Sequence, residues 1–516
     1  MFDLIDHVWI DLPLSYALTV AGFVTGYRRG GAELRLPRAL GAGLPVMLVV
    51  GLLWSCTVAI VETGIDSRPF HSLNSLLGLV FFASASALAG ASLARRIPAD
   101  SVEGERGTLL VDEDYPGLSR KEPNALTLAG QAIPLMDETK HFKIIGTTGT
   151  GKSTAFREIL TGAFHRGDRA IIADPDGGYL QRFYDPGRGD VILNPFDPRS
   201  ARWDLFAEIT APQDTDQLAR AFIPDHEGPD RNWRGFARTY VGAILSQLHR
   251  IEEHNLAKLY HLFVGATDED LRDLLSGTPA ARFLGKDGGK FIESVQSITN
   301  QHLGVLQHIA RQSEDSLLGV RRWVREGRGV LFLPYSANEI ASLRHLISAW
   351  MRLAIFEVMS GPEGDKGIWF AIDELDALGA IDGLKDALTR IRKFGGRCLL
   401  GLQSIGQVGG AYGRAEAQSI TENCGNTVIL RCSTSEGGGT AEFASRLIGK
   451  REVVRQQRST SRPAYHLWRK THTVSEQIVI EDAVMASEIE QLPDLSGLLK
   501  LASQPYWRRV TLVRSS

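Results

Sequence analysis

The chain has 516 residues, 43% apolar and 23% charged, with 57 basic against 60 acidic side chains and a net charge of −3. That length and balance allow several buried cores, roughly three domains, and exclude a disordered tail, a collagen-like fibre or a disulfide-stapled mini-scaffold. Four scattered cysteines (Cys56, Cys398, Cys424, Cys432) form no C-x-x-C pair, so they are expected as reduced packing residues rather than metal ligands.

The first 97 residues differ from the rest. Largely apolar runs without charge occupy 12–27, 39–61 and 73–94. At 1.5 Å per residue, the second and third each cover roughly 30 Å, the thickness of a bilayer core; the first is at or just below spanning length. Arg28, Arg29, Arg35 and Arg38 follow the first run and Arg95 and Arg96 close the third, whereas Asp3, Asp6 and Asp11 precede the first. The positive-inside rule then puts the N-terminus outside and everything after Arg96 in the cytoplasm. An acidic start argues against a cleaved signal peptide. The expectation is a membrane anchor of about three helices over 1–97.

Residues 98–140 are polar and punctuated by prolines, which predicts a membrane-proximal connector with short strands near 108–111 and 126–128. A strand over 142–145 then runs into Gly146, Thr147, Thr148, Gly149, Thr150, Gly151, Lys152, Ser153 and Thr154, a complete G-x-x-x-x-G-K-[ST] string, with a helix predicted over 155–166. The glycines let backbone N–H groups turn toward phosphate oxygens, and the helix N-terminus adds its positive dipole end. Lys152 is placed to reach the β- and γ-phosphates and the Ser153 hydroxyl to bind Mg2+. ATP and Mg2+ are the expected cofactors.

Apolar runs at 170–173, 330–333, 367–372, 398–402 and 427–430 alternate with helical stretches such as 342–359 and 384–393. This rhythm predicts an α/β fold with a parallel sheet covered on both faces. The 367–372 run ends in Asp373 and Glu374. An Asp at such a tip can hold Mg2+ through water, and the adjacent Glu can polarise an attacking water. Together with the glycine-rich string, this points to hydrolysis rather than nucleotide binding alone. Gln403, also at a strand tip, can sense the γ-phosphate, orient water, or be an ordinary loop residue.

Between 195 and 330 helices are predicted at 218–222, 236–251, 256–262, 268–275 and 292–309 without clear strands, a candidate all-α insertion. Its acidic lean over 208–275 fits solvated helix faces or a docking surface for a basic protein. From Arg446 to Lys470 there are eight basic residues against Glu452 alone, with Tyr465 and Trp468 interleaved. That stretch fits nucleic-acid phosphates with ring stacking, an inner-leaflet contact, or a solvated loop.

The motifs together resemble the coupling-protein ATPases of conjugative type IV secretion, the TraD/TrwB family. The resemblance rests on 141–154 with Asp174, Pro175, Asp176 and Gly177; on Asn194, Pro195, Phe196, Asp197, Trp203 and Asp204; on 371–375, 392–396 and 401–404; and on Thr440, Ala441, Glu442, Ser445, Gly449 and 492–495. It implies a RecA-like P-loop ATPase with an all-α insertion and N-terminal transmembrane helices. The implied division is an anchor at 1–97, a connector at 98–140, a nucleotide-binding domain at 141–207 and 319–516, and the insertion at 208–318.

The resemblance also implies an inner-membrane protein with a cytoplasmic ATPase body, assembled as a homo-hexamer with ATP between subunits. Catalytic roles fall to Lys152, Glu374, the sensor Gln403 and Arg392 as an arginine finger acting in trans, with Arg390 the alternative; Mg2+ falls to Ser153 and Asp373. Implied partners are single- or double-stranded DNA, a relaxase within its relaxosome, and type IV secretion channel components.

The expected function is ATP-driven DNA translocation that couples a relaxase–DNA complex to the channel. The alternatives are delivery of protein substrates to a secretion channel and a septal chromosome-type DNA pump. No L-S-G-G-Q signature separates the two nucleotide motifs, which disfavours an ABC transporter. Two features depart from the family pattern: three apolar runs where two are common, and no long charged tail after 510–513. Partner recognition is then expected from the insertion or the basic stretch.

Overall fold

The computed structural model describes residues 103–115, 124–225, 228–284, 288–364, 367–435, 439–461 and 471–513. The three apolar runs, together with Tyr465 and Trp468, lie outside the described residues. Among those described, no helix is long and apolar enough to cross a membrane. The chain forms two units, one of Glu105–Glu452 with Ile478–Ser516 and a smaller one of Met1–Gly104 with Val453–Gln477. Glu103–Gly107, Lys450–Ser461 and Thr471–Asp482 form a three-stranded sheet of their own.

The larger unit is organised by ten strands: β1 Leu109–Val111, β2 Phe142–Ile145, β3 Arg169–Pro175, β4 Val191–Ile192, β5 Val330–Tyr335, β6 Ile368–Ile372, β7 Gly396–Leu402, β8 Asn426–Ile429, β9 Ser496–Lys500 and β10 Tyr506–Thr511. Their order across the sheet is β1-β10-β9-β8-β2-β7-β6-β3-β5-β4. From β8 to β4 all neighbours are parallel. The wholly parallel expectation fails on the other side, where β8–β9 and β9–β10 pair antiparallel. The β9–β10 connection is a short turn-back of five residues, whereas between β8 and β9 the chain runs through the helix Gly439–Ile448 and the strands Lys450–Ser461 and Thr471–Asp482 before returning.

The apolar runs divide by the period of two expected of a strand. Ile171 and Ala173 of β3, Phe370 and Ile372 of β6, and Leu400 and Leu402 of β7 face one core. Ala170 and Ile172, Trp369 and Ala371, and Leu399 face the other. The second core is closed by α1, Lys152–Arg166, whose buried Ala155, Phe156, Ile159, Leu160, Ala163 and Phe164 recur at helical spacing. Gly167, at φ 90°, ends it in the left-handed conformation.

The first core is continuous with a block of helices between β4 and β5: α2 Gln213–Phe222, α3 Arg231–Arg250, α4 Leu256–Val264, α5 Asp268–Leu274, α6 Gly288–Leu303 and α7 Leu306–Ala310. The single helix expected over 292–309 is broken into α6 and α7 at Gly304. There a Cβ would stand 2.8 Å from the Asn300 carbonyl, so a tight turn replaces the regular helix. The block is entered and left through a two-residue parallel pair, Arg202–Trp203 with Leu317–Leu318, too short to show as a strand pattern. Pro334 does not end β5 as expected. The strand continues through Tyr335 because β4 pairs only as far as Phe332, so the missing N–H costs no ladder bond on that side.

Candidate nucleotide site

The glycine-rich loop leaves the carboxyl end of β2 in the middle of the sheet, and Asp373 leaves the same end of β6 two strands away. Gly149 and Gly151 take φ values of 80° and 118°, which a side chain would resist. The loop is pinned from both neighbours: Gly146 N–H donates to Leu402 O at 3.0 Å and Thr147 N–H to Arg431 O at 2.9 Å. A third brace comes from the far end of the chain. Leu495 N–H donates to Thr150 O at 2.9 Å, and a Cβ on Gly151 would meet the Leu495 and Leu512 side chains at 3.0 and 3.1 Å. Lys152, 8% exposed, folds its ammonium over the loop and donates to Gly146 O at 2.8 Å and Thr147 O at 3.3 Å.

The predicted acids join this loop. The Ser153 hydroxyl donates to Asp373 Oδ2 at 2.7 Å across 220 residues of sequence. Asp373 is 4% exposed, and its other oxygen, Oδ1, has no hydrogen-bond partner among the described residues. A buried, unpaired carboxylate oxygen beside a serine hydroxyl is a hard-oxygen donor set that fits a divalent cation such as Mg2+. Glu374 is half-buried. Burial, reinforced by the charges of Asp373 and Asp376 and opposed by Lys152, raises its pKa. Gln403 Nε2 donates to Thr148 Oγ1 at 2.9 Å, tying the tip of β7 to the loop.

Arg392 is not brought to this cluster. It lies exposed in the turn Ile391–Phe394, ahead of β7, while Gln403 follows β7 at its other end, roughly 20 Å along the strand. Arg390, at the end of the helix Leu384–Arg390, is at that same amino end. The segment is anchored by His141 at the start of β2. Its Nδ1 accepts Cys398 N–H at 3.1 Å, so its Nε2–H donates to Leu388 O at 2.8 Å. Burial, with the nearby Arg392 charge, drops its pKa to about 4 and keeps the ring neutral.

The sequence marks Asp174 as part of the family resemblance without a role, and it singles out neither Tyr179 nor Tyr335. Asp174, at the tip of β3, accepts the Tyr179 and Leu180 N–H groups at 2.6–3.1 Å. Burial, with the Asp373 charge nearby, lifts its carboxyl to about 6 against those bonds. Tyr179 in turn donates its hydroxyl to Asp373 Oδ2 at 2.7 Å. Tyr335, at the tip of β5, is buried near the same acids with no partner for its hydroxyl among the described residues. The only available signal was position: each follows or ends an apolar strand at the carboxyl edge, where ligands gather in such sheets.

A family model for the type IV secretion-system coupling protein DNA-binding domain matches residues 125–513. The chain belongs to this family. Coupling protein TraD of Escherichia coli (strain K12) is 30% identical over 376 residues, 72% of this chain and 52% of TraD. Plasmid coupling protein TrwB in complex with the GTP analogue GDPNP is 31% identical, with a TM-score of 0.71 over 80% of this chain and 95% of that one. TrwB with ADP and Mg2+ gives 30% and 0.70, over 80% and 94%. The chain spans about half or less of the length of the curated relatives it matches.

Residues that carry the family resemblance make structural hydrogen bonds in this coupling protein. Asn194 donates to Pro334 O at 3.0 Å and accepts Phe196 N–H at 2.8 Å, joining the tips of β4 and β5. Trp203 Nε1 donates to the buried Glu208 at 2.9 Å, and Glu208 receives Val320 N–H where the chain returns from the helical block. Ser404 accepts Gly406 N–H and caps the helix that follows Gln403. Ser445 donates to Val484 O at 2.6 Å.

Proposed function

We propose that this coupling protein is an ATP-driven DNA translocase. In this reading it sits in the inner membrane as a multi-pass protein with its ATPase body in the cytoplasm, receives a relaxase–DNA complex and passes it to a type IV secretion channel. The observation that carries the reading is the meeting of Ser153 and Asp373 at 2.7 Å, with Lys152 over the same loop, inside a coupling-protein fold.

Residues 146–154 cradle the phosphates of ATP, with Lys152 as the cation facing the β- and γ-oxygens. Ser153 and Asp373 would hold Mg2+, which when bound would offset the phosphate charge. Glu374, with its proton affinity raised by burial beside two acids, accepts a proton from the attacking water. Gln403, tied to Thr148, carries the state of the phosphate end into β7. Arg392 lies at the other edge of the sheet, where it can complete the site of the next subunit in a homo-hexamer; Arg390 is the alternative. A division into 1–97, 98–140, 141–207 with 319–516, and 208–318 separates anchor, connector, motor and partner-facing insertion. Among the described residues, the exposed Arg446, Arg451 and Arg455 offer positive charge for DNA phosphates.

Lys152→Ala tests the reading in mating cells. DNA transfer should stop while the chain still inserts in the membrane. Transfer that persists would refute a motor role.

A further inference from the structure

The carboxylate of Asp373 has two hydrogen-bond donors on one oxygen and none on the other. Ser153 Oγ and the Tyr179 hydroxyl both donate to Oδ2 at 2.7 Å, while Oδ1 is buried and unpartnered among the described residues. Two donors from different elements fix the rotation of the carboxylate as well as its position, with Oδ2 held toward Ser153 and Oδ1 on the Gly401 side.

Tyr179 is built into the sheet edge to do this. It is 2% exposed, and its ring packs on Phe156 of α1 with centroids 6.1 Å apart. The Arg157 guanidinium lies 5.9 Å from the ring centroid. Its backbone N–H is held by the Asp174 carboxylate at 3.0 Å. The tip of β3 thus positions Tyr179, and Tyr179 positions the acid at the tip of β6, the next strand across.

We infer that Tyr179 is a positioning residue for the divalent cation: its hydroxyl fixes the Asp373 carboxylate beside Ser153, where the two side chains would hold the ion. This rests on the nucleotide-site reading above. A hydroxyl that lends its lone pair to a cation can still donate its own proton, so Ser153 does not have to release Asp373 when a cation binds. Tyr179, which has no phosphate to face, holds the carboxylate whatever Ser153 does. Hydrogen-bond partners of this outer kind are worth 10–100-fold in metal affinity. A buried tyrosine hydroxyl also needs an acceptor simply to be tolerated, so the test must separate cation binding from stability.

The experiment measures binding of a fluorescent ADP analogue to the full chain as Mg2+ is titrated, with melting curves of each chain recorded without nucleotide. Tyr179→Phe keeps the ring and removes one oxygen. The expected result is a roughly tenfold rise in the Mg2+ concentration needed for half-maximal tight binding, with affinity in chelator changed less than about twofold. Phe156→Leu, which disturbs the same ring packing but keeps the hydroxyl, should leave that Mg2+ midpoint in place. An unchanged midpoint in folded Tyr179→Phe overturns the inference. So does an equal shift in Phe156→Leu, or a Tyr179→Phe chain that cannot fold, since each assigns the hydroxyl to stability alone. Lys152→Ala distinguishes the two levels: if it still binds the analogue as wild type does, the nucleotide-site reading itself falls, whatever Tyr179 does.

Discussion

Gly401→Ala is the smallest change that should separate the two strands carrying the site. Gly401 lies on β7 directly opposite the point where the chain leaves β6, one step beyond the Ile372↔Leu400 pair. A Cβ there would stand 2.0 Å from the Asp373 carbonyl oxygen, 2.7 Å from its carbon and 2.9 Å from Oδ1. Gly401 is not among the positive-φ glycines, so the alanine is backbone-compatible and the perturbation is steric. Relief to an ordinary contact needs a shift of about 1 Å or more, in a place where backbone rather than a flexible side chain must give. Overpacking of this kind costs about 1–3 kcal/mol, a drop of only a few degrees in melting temperature for a body this size. The same shift moves Asp373 and Glu374, and a displacement of about 1 Å at a reacting centre costs on the order of 100-fold in rate. Phosphate release with DNA present, beside a thermal melt, reads both effects. The expected result is a chain that is folded, slightly destabilised and nearly inactive. Gly401→Ala with hydrolysis within twofold of wild type would refute the claim that these two strand tips set the site.

Glu374→Gln should bind nucleotide as wild type does while hydrolysis falls on the order of 100-fold or more, the usual worth of a general base; parallel loss of binding would remove that role. Arg397, 2% exposed, donates Nε to Glu138 Oε2 at 2.9 Å, and Arg397→Ala removes one of the two arginines that pair with this buried carboxylate among the described residues, the other being Arg166. Urea melts should show a loss of about 3 kcal/mol, the low end for breaking a buried pair; a loss under about 1 kcal/mol contradicts the burial argument. His141, His302 and His345 have pKa values pushed down by burial from 6.5 to about 4, about 3 and about 4, so unfolding takes up protons between pH 6.5 and 4. Asp174, lifted to about 6, works the other way. Glu208, Glu374, Asp376 and Glu416, also raised by burial, act in the same sense as Asp174. Stability should therefore be fully present above about pH 7 and fall toward pH 5.5 by no more than about 2 kcal/mol per pH unit; equal urea stability at pH 7 and 5.5 would contradict it.

The parts of this molecule visible in its sequence are those that local chemistry dictates. The stretch from Gly146 to Thr154 is legible because phosphate binding demands those residue types at that spacing. Asp373 and Glu374 stand out because two acids directly after an apolar strand are costly unless used. The helices of the insertion show in their periodicity, with ends displaced by a few residues, as where α2 begins at Gln213 rather than 218. Contacts that close only in three dimensions were not visible. Tyr179 meets Asp373 across 194 residues, and Leu495 braces Thr150 and Gly151 from the other end of the chain. The antiparallel turn-back at β9 and β10 was also hidden, because a buried strand reads the same in either direction.

The central claim is that DNA drives ATP turnover at this site. The most direct measurement is the ATPase rate of the full chain in detergent or lipid, with and without DNA, beside Lys152→Ala. The account predicts hydrolysis that DNA raises several-fold and that Lys152→Ala abolishes. Hydrolysis indifferent to DNA in an assembled hexamer would contradict translocation and favour export of protein alone; hydrolysis that survives Lys152→Ala would contradict the site itself.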